Sequence, residues 1–235
     1  MTTMDISPKD LKQVVVFQHC TDDDLLLILK NSITRPMEEG SFFFMQGDEA
    51  EYLYVLTSGQ VKLMQSNPNG QQVNLRTIYP WQMFGALGAV RSDGAPYPAS
   101  AQTLEDSTAL ATPSLFLRSM LETRPYLSFD LMNLMTSYIQ EMQARYRELA
   151  TERVEQRVAN ALVRLAGQAG IKSDKEAGIE LSLSRQDVAE MTGTTLYTVS
   201  RLLSEWERKG ILKTGREKIA IINPHELVRI ADGQV

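Results

Sequence analysis

Hydrophobic and polar positions change rhythm twice along this chain. From Ile33 to about Thr112, short apolar runs alternate with turn residues. The runs are 41–44 (SFFF), 52–56 (YLYVL), 60–64 (QVKLM) and 73–78 (VNLRTI). They are broken at Glu39-Gly40, Gly47-Asp48, Ser58-Gly59 and Asn67-Pro68-Asn69-Gly70. Regularly interrupted runs of this length predict the strands of a β-sandwich or barrel. On both sides of that region the spacing is helical. Residues 1–33 carry apolar clusters at 14–17 and 25–29, separated by Thr21-Asp22-Asp23-Asp24. Carboxylates favour a helix start, so this segment reads as an N-terminal cap. Pro113 opens a short helix over 113–122. A longer helix is predicted over 125–149, with Leu127, Leu131, Leu134, Met135, Tyr138, Ile139, Met142, Tyr146 and Leu149 at three- and four-residue steps. That stripe is broader than one covering domain needs, and a sustained stripe on a long helix predicts a partner helix.

The most informative stretch is 183–208. Ser184 and Asp187 form a capping box at the start of a short helix. Gly193, within Thr192-Gly193-Thr194, supplies the positive φ of a tight turn. Thr195 can cap a second helix, whose buried stripe reads Leu196, Val199, Leu202, Leu203 and Trp206. Tyr197, Thr198, Ser200, Arg201 and Ser204 are thereby left outward. Gly210 ends this helix, and residues 211–213 and 218–222 read as two strands turning at Gly215-Arg216. Such a helix pair with a hairpin suits duplex DNA. First-turn side chains of the second helix meet base edges in the major groove, where Arg bonds a guanine bidentately.

This stretch resembles the winged helix-turn-helix of the Crp/Fnr family of bacterial transcription regulators. The resemblance is carried by Ser184-Arg185-Gln186-Asp187-Val188-Ala189, Gly193, Thr198-Val199-Ser200-Arg201-Leu202-Leu203 and Gly210-Ile211-Leu212. The β-rich stretch resembles the family's cyclic-nucleotide-binding jelly roll, in Gly40, Phe43, Gly47-Asp48, Leu53-Tyr54-Val55-Leu56 and Gly59-Gln60-Val61-Lys62. Together the two cover nearly the full length. They imply an α+β fold: an effector-sensing β jelly roll over 1–123, a dimerisation helix and hinge over 124–152, and a winged helix-turn-helix over 153–235. The resemblance implies a homodimer on a palindromic double-stranded operator, with RNA polymerase as a further partner. Leu131, Leu134, Met135, Tyr138, Met142 and Leu149 would clasp the two chains. Arg185, Gln186, Thr194, Thr195, Tyr197, Thr198, Ser200 and Arg201 would meet the DNA, with Arg201 as the main base contact. Many relatives place Glu where Tyr197 stands, so the operator is expected to differ from the usual half-site at that base pair.

The same resemblance places an effector pocket at Phe84, Gly85, Ala86, Leu87, Tyr97 and Pro98, faced by Met135, Tyr138 and Met142. In the family's cyclic-nucleotide binders a Glu bonds the ribose and an Arg-Ser pair holds the cyclic phosphate. Here those positions are Ala86 and Tyr97-Pro98. They bring no charge to a phosphate, and Pro98 has no N–H. The purine-bonding Thr-Ser pair falls at about Met142-Gln143. Cyclic AMP is therefore not the expected effector. Residues 97–101 and 194–201 look like the branch that includes nitric-oxide-responsive denitrification regulators, which implies haem as a candidate cofactor. No His lies in the predicted pocket to ligate it, although a Met thioether can bind haem iron.

Composition narrows the field further. The 235 residues are 43% hydrophobic, ample for real cores, and include one cysteine, Cys20. A disulfide framework or a four-cysteine zinc or iron–sulfur site within one chain is excluded. No apolar run reaches 18 residues and the N-terminus is polar, so a cytoplasmic protein without membrane attachment is expected. Net charge is −5 but unevenly spread. From Arg153 onward there are 13 Lys+Arg against 11 Asp+Glu, leaving 11 against 18 for the first 152 residues. An acidic sensor joined to a mildly basic reader fits, with two copies needed for firm binding. The histidines are His19 and His225, far apart in sequence, and no nucleophile–base constellation appears, so an enzyme is not expected. An alternative to effector control is a constitutive DNA binder whose β-roll is only a dimer scaffold.

Overall fold

The computed structural model describes residues 6–68, 72–91, 94–168, 178–215 and 217–234. The turn residues Asn69 and Gly70, the greater part of a loop expected at 167–178, and Arg216 lie outside them. The chain divides into two compact units, Met1–Gln71 with Leu75–Glu141, and Gln72–Asn74 with Met142–Val235.

The first unit begins with α1 (Pro8–Leu11), a 3-10 turn (Val15–Phe17) and α2 (Asp22–Lys30). Thr21 caps α2: its hydroxyl accepts from the Asp24 N–H at 3.2 Å, while the Asp24 carboxylate accepts from the Thr21 hydroxyl at 2.7 Å. Eight strands follow: β1 (Ile33–Met37), β2 (Phe42–Phe44), β3 (Tyr52–Ser58), β4 (Val61–Ser66), β5 (Gln72–Ile78), β6 (Met83–Phe84), β7 (Ser100–Thr103) and β8 (Ser107–Pro113). They form two four-stranded sheets, ordered β1-β8-β3-β6 and β2-β7-β4-β5. First neighbours last: β1 lies beside β8, β2 beside β7, β3 beside β6 and β4 beside β5. That nesting is a ribbon folded over on itself, the jelly roll. The apolar runs marked β2, β3, β4 and β5. β1, β7 and β8 escape the pattern because Arg35, Pro36, Ser100, Gln102, Ser107 and Thr108 interrupt it.

Between β6 and β7 lies α3 (Ala86–Ala89), and after β8 come α4 (Ser114–Thr123) and α5 (Pro125–Thr151). Two apolar clusters fill the unit. One sits under the helices and joins Leu11, Phe17, Leu25 and Ile28 to Leu53, Val55, Leu127 and Leu131. The other lies within the roll and joins Phe43, Phe44, Tyr54, Phe84 and Tyr97 to Val61, Ile78 and Ala101. The helices are also tied by a buried carboxylate, since Asp24 accepts from both Arg124 and Tyr126.

The second unit contains α6 (Val154–Gln168), β9 (Ile179–Ser182), α7 (Arg185–Thr192), α8 (Leu196–Arg208), β10 (Leu212–Gly215), β11 (Lys218–Ile221) and α9 (Pro224–Ala231). The two-stranded wing is joined by a third strand: β9, which leads into α7, pairs antiparallel with β11. Leu181, Leu212, Ile219 and Ile221 from this sheet are buried, as are Val199, Leu202, Leu203 and Trp206 of α8.

Candidate nucleic-acid interface and effector site

The reader is built by two caps and one glycine. Ser184 accepts from the Asp187 N–H at 3.1 Å and Asp187 accepts from the Ser184 N–H at 3.0 Å, the capping box that starts α7. Gly193 ends α7 in the left-handed region (φ 61°), and the Thr194 N–H closes back onto the Ala189 carbonyl at 3.1 Å. Thr195 caps α8 by accepting from the Thr198 N–H at 3.2 Å, and its hydroxyl also meets the Thr198 hydroxyl at 2.9 Å. Tyr197, Arg201, Ser204 and Arg208 then stand exposed at four- and three-residue steps, which makes one outward face. Tyr197 is the most open of the large apolar side chains, at 79% exposed. Arg208 is an outward cation the sequence reading passed over. Its place on the Tyr197–Arg201–Ser204 helical row was the available signal.

Several expected contacts are placed differently. Leu196, expected in the buried stripe, is 47% exposed. It is the first residue of α8 and precedes the point where the helix reaches the core. Arg185 is half-buried and committed inside the protein. It donates to the Thr214 hydroxyl at 3.0 Å, and Thr214 donates to Glu207 through its hydroxyl at 3.0 Å and its N–H at 2.8 Å. This chain of bonds braces the wing against both helices, and the Thr214 bonds hold the Glu207 carboxyl below its usual range. Gln186 is exposed and donates to Glu190 at 2.9 Å. Thr194 and Ser200 are partly exposed. Behind the reader, Arg157 donates to the carbonyls of Thr192 at 3.2 Å and Glu152 at 3.1 Å. That joins the end of α7 to the segment leaving α5.

The β-roll interior tells another story. Tyr97, expected in an effector pocket, is 3% exposed and stacks on Phe44 with ring centroids 3.7 Å apart. Its hydroxyl donates to the Tyr52 carbonyl at 2.5 Å and accepts from the Tyr52 N–H at 3.1 Å. Burial pushes this phenol well above its usual range, so it stays neutral. Phe84 stacks on Tyr54 at 5.0 Å. Gly85 and Gly88 let α3 lie directly on this ring. A Cβ at Gly88 would come within 2.6 Å of the Ala50 Cβ and 3.3 Å of Tyr97, and one at Gly85 within 3.2 Å of Tyr97. Ala86 is buried, whereas Leu87 and Pro98 face solvent and do not join the interior. An open cleft of about 320 Å³ remains beside the aromatic cluster, lined by Phe43, Phe44, Tyr52, Tyr54, Tyr97, Arg35 and the carboxylates Asp48, Glu49 and Glu51.

Along α5 the expected pocket and dimer residues separate by burial. Leu131 is 8% exposed and belongs to the unit's own core, and Leu134 and Met135 pack against that core. Leu134 and Met135 keep part of their surface open. Tyr138 lies under the Arg76 guanidinium, 4.1 Å from its ring centroid, and Arg76 pairs with Glu141 at 3.7 Å. Met142 is 67% exposed and Leu149 is also open. Phe129, Met132, Ile139 and Tyr146 are exposed as well. With Met142 and Leu149 they recur at three-, four- and seven-residue intervals, an exposed row that shares only Met142 and Leu149 with the expected dimer set.

The side chain of His19 stands largely open. His19 is bonded through Nδ1 to the Asp130 carboxylate at 2.9 Å, and His225 lies exposed in α9. Burial, with the Asp24 and Asp130 carboxylates, pushes the Cys20 thiol up to about 11, so it is not a ready ligand at neutral pH. His19, paired with Asp130, and Cys20, buried with its thiol held protonated, do not fit the axial ligation of a haem within the roll. No helix among the described residues is long and apolar enough to cross a membrane.

Comparison with known proteins follows the same division. Residues 34–124 match the cyclic nucleotide-binding domain family, and residues 156–230 match the Crp-like helix-turn-helix domain family. The transcriptional activator protein Anr of Pseudomonas aeruginosa is 27% identical over 86% of this chain and 81% of that protein. The CRP-like cAMP-activated global transcriptional regulator of Mycobacterium tuberculosis is 24% identical over 94% of this chain and 98% of that one. Among solved structures, the c-di-GMP responsive global regulator CLP of Xanthomonas campestris superposes with a TM-score of 0.74 at 18% identity, covering 86% of this chain and 99% of that chain. FixK2 from Bradyrhizobium japonicum gives 0.73 at 20% identity, covering 85% and 96%. At these identities the structural matches establish the fold.

Proposed function

Since this chain belongs to the Crp/Fnr family of transcription regulators, we propose that it is a homodimeric, sequence-specific DNA-binding regulator answering to an effector other than cyclic AMP. The observation that carries the DNA reading is the outward row Tyr197, Arg201, Ser204 and Arg208 on a capped helix of a Crp-like helix-turn-helix domain. Arg201 bonds a guanine in the major groove, Gln186, Thr194 and Ser200 flank it, and Arg208 meets the phosphate backbone. Arg185 serves by holding the wing. Two chains pair along the seam Phe129, Met132, Ile139, Met142, Tyr146 and Leu149, which sets two readers on half-sites about 34 Å apart. RNA polymerase is the further partner of such a regulator, and the cytoplasm its place of work. Selection from random duplexes with the full-length protein should enrich a two-fold symmetric site, and light scattering should give the mass of two chains. A single-chain mass with no enriched sequence overturns the proposal.

The effector part rests on Ala86, Tyr97 and Pro98. An anionic phosphate needs a counter-charge or free N–H donors, and Tyr97, stacked on Phe44 and bonded to Tyr52, brings neither. The names of relatives already pair this fold with more than one cyclic nucleotide. An effector would use the cleft beside Tyr52, Tyr54 and Tyr97, or the side of Met135 and Tyr138, and would act by binding one arrangement of the dimer more tightly. Isothermal titration with cyclic AMP should give no binding heat; micromolar affinity would count against it. A second reading is favoured by the same aromatic filling: the roll is a scaffold and DNA binding needs no effector. Tight operator binding by the purified protein without additives would select that reading.

A further inference from the structure

We propose that the cleft beside Tyr52 and Tyr54 binds a small organic cation, a primary amine or quaternary ammonium ion held on the Tyr52 ring inside a rim of carboxylates. The inference rests on the reading of this cleft as a place for an effector, and it names the chemical class.

The cleft follows from three neighbouring strands. Arg35 of β1 stands opposite Ala109 of β8, and Ala111 of β8 stands opposite Tyr54 of β3. Residues directly opposite each other across a sheet share one face. Two small side chains therefore separate the arginine from the tyrosines. The space left is about 320 Å³, at the lower end of the range for small-ligand sites. Of the residues lining it, Tyr97 alone belongs to the set that the family resemblance assigns to an effector.

The floor is aromatic. The Tyr52 and Tyr54 ring centroids lie 6.2 Å apart, with the planes inclined at 49°, so the two rings make a corner. A ring face is negative and attracts a cation. The Arg35 guanidinium sits on the Tyr52 face, 4.5 Å from the centroid. The rim is acidic. Asp48, Glu49 and Glu51 come from the short exposed loop between β2 and β3. Three carboxylates against one guanidinium leave an excess of two negative charges. Among the described residues no ion pair neutralises them. An anionic ligand would be repelled here. A neutral apolar one would cover carboxylates without pairing them, which costs free energy. An organic cation satisfies floor and rim together, and Arg35 competes with it for the Tyr52 face.

Isothermal titration of the full-length protein at low ionic strength is the test. The probes are choline, putrescine and the neutral isostere of choline in which a tert-butyl group replaces the trimethylammonium group. Choline or putrescine should bind saturably, and the neutral isostere should not. Tyr52→Leu should weaken cation binding about five- to thirty-fold, the worth of a partly desolvated cation–π contact. Arg35→Gln should strengthen it, because the competing cation leaves the ring. Weaker binding in Arg35→Gln overturns the inference. So does equal binding of the neutral isostere, or failure of both cations to bind at millimolar concentration. Cation binding that leaves operator affinity unchanged upholds the site and overturns only the effector reading of the cleft. Operator binding that answers to another compound, with neither cation bound, overturns this inference and leaves that reading standing.

Discussion

The two halves of this protein each set a tyrosine at a position the resemblance marks as functional, and the two side chains turn in opposite directions. In the roll, Tyr97 turns inward, stacks on Phe44 and closes both its hydrogen bonds on Tyr52. In the reader, Tyr197 turns outward and is four-fifths open. The same residue type thus fills a core in one place and stands open to a partner in the other. What separates them is whether the surrounding backbone presents partners. Gly85 and Gly88 let α3 close over Tyr97, whereas α8 lifts Tyr197 away from the core that Val199, Leu203 and Trp206 share.

The contrast can be broken by mutation, and the largest effect is expected inside the roll. Tyr97→Ala should cost about 3–5 kcal/mol of stability, as removal of a buried aromatic does, read from urea unfolding. A loss below about 1 kcal/mol would mean that the roll holds an adaptable pocket after all. Tyr197→Ala, by contrast, should leave the unfolding midpoint nearly unchanged.

Asp24 gives the next effect and extends the inward rule to charge. Burial pushes its carboxyl up, but bonds from Tyr126, Thr21 and Arg124 outweigh that and hold it far below the usual range. A carboxyl depressed in the folded state binds its proton more readily when unfolded. Its contribution is therefore present above the unfolded value, about 3.9, and lost as pH falls below it. Asp24→Asn should cost about 2–3 kcal/mol at pH 7, with the difference from the parent shrinking toward pH 2. A difference constant with pH would remove the charge from this account.

On the outward side, Arg201→Ala should weaken operator binding by about 2 kcal/mol and relax the preference at its guanine. Its melting temperature should stay with the parent. A melting shift without a change of preference would make Arg201 structural. Thr195→Ala should have the smallest effect, about 1 kcal/mol of stability through the lost cap. It should also blur the contrast, because its hydroxyl belongs to the fold while its position belongs to the reader. Calorimetry and anisotropy on one preparation would show both.

Local chemistry, confined to a few neighbouring residues, was legible in the chain. The capping segment at Thr21–Asp24, the capping box at Ser184, the cap at Thr195, the glycine turn at Gly193 and the strands at 52–56 and 60–64 each rest on contacts within a handful of positions. Other features rest on distant partners. The nesting of β1 with β8 and β2 with β7 joins segments more than 50 residues apart, and the linear pattern of polar and apolar positions carries no record of it. The pairing of β9 with the wing, the commitment of Arg185 to Thr214 and Glu207, and the inward turn of Tyr97 are of that kind. The outward turn of Leu196 shows the limit most clearly. Periodicity alone puts it in the buried stripe, but it lies at the very start of α8, and only the packed structure decides where along a helix the core begins.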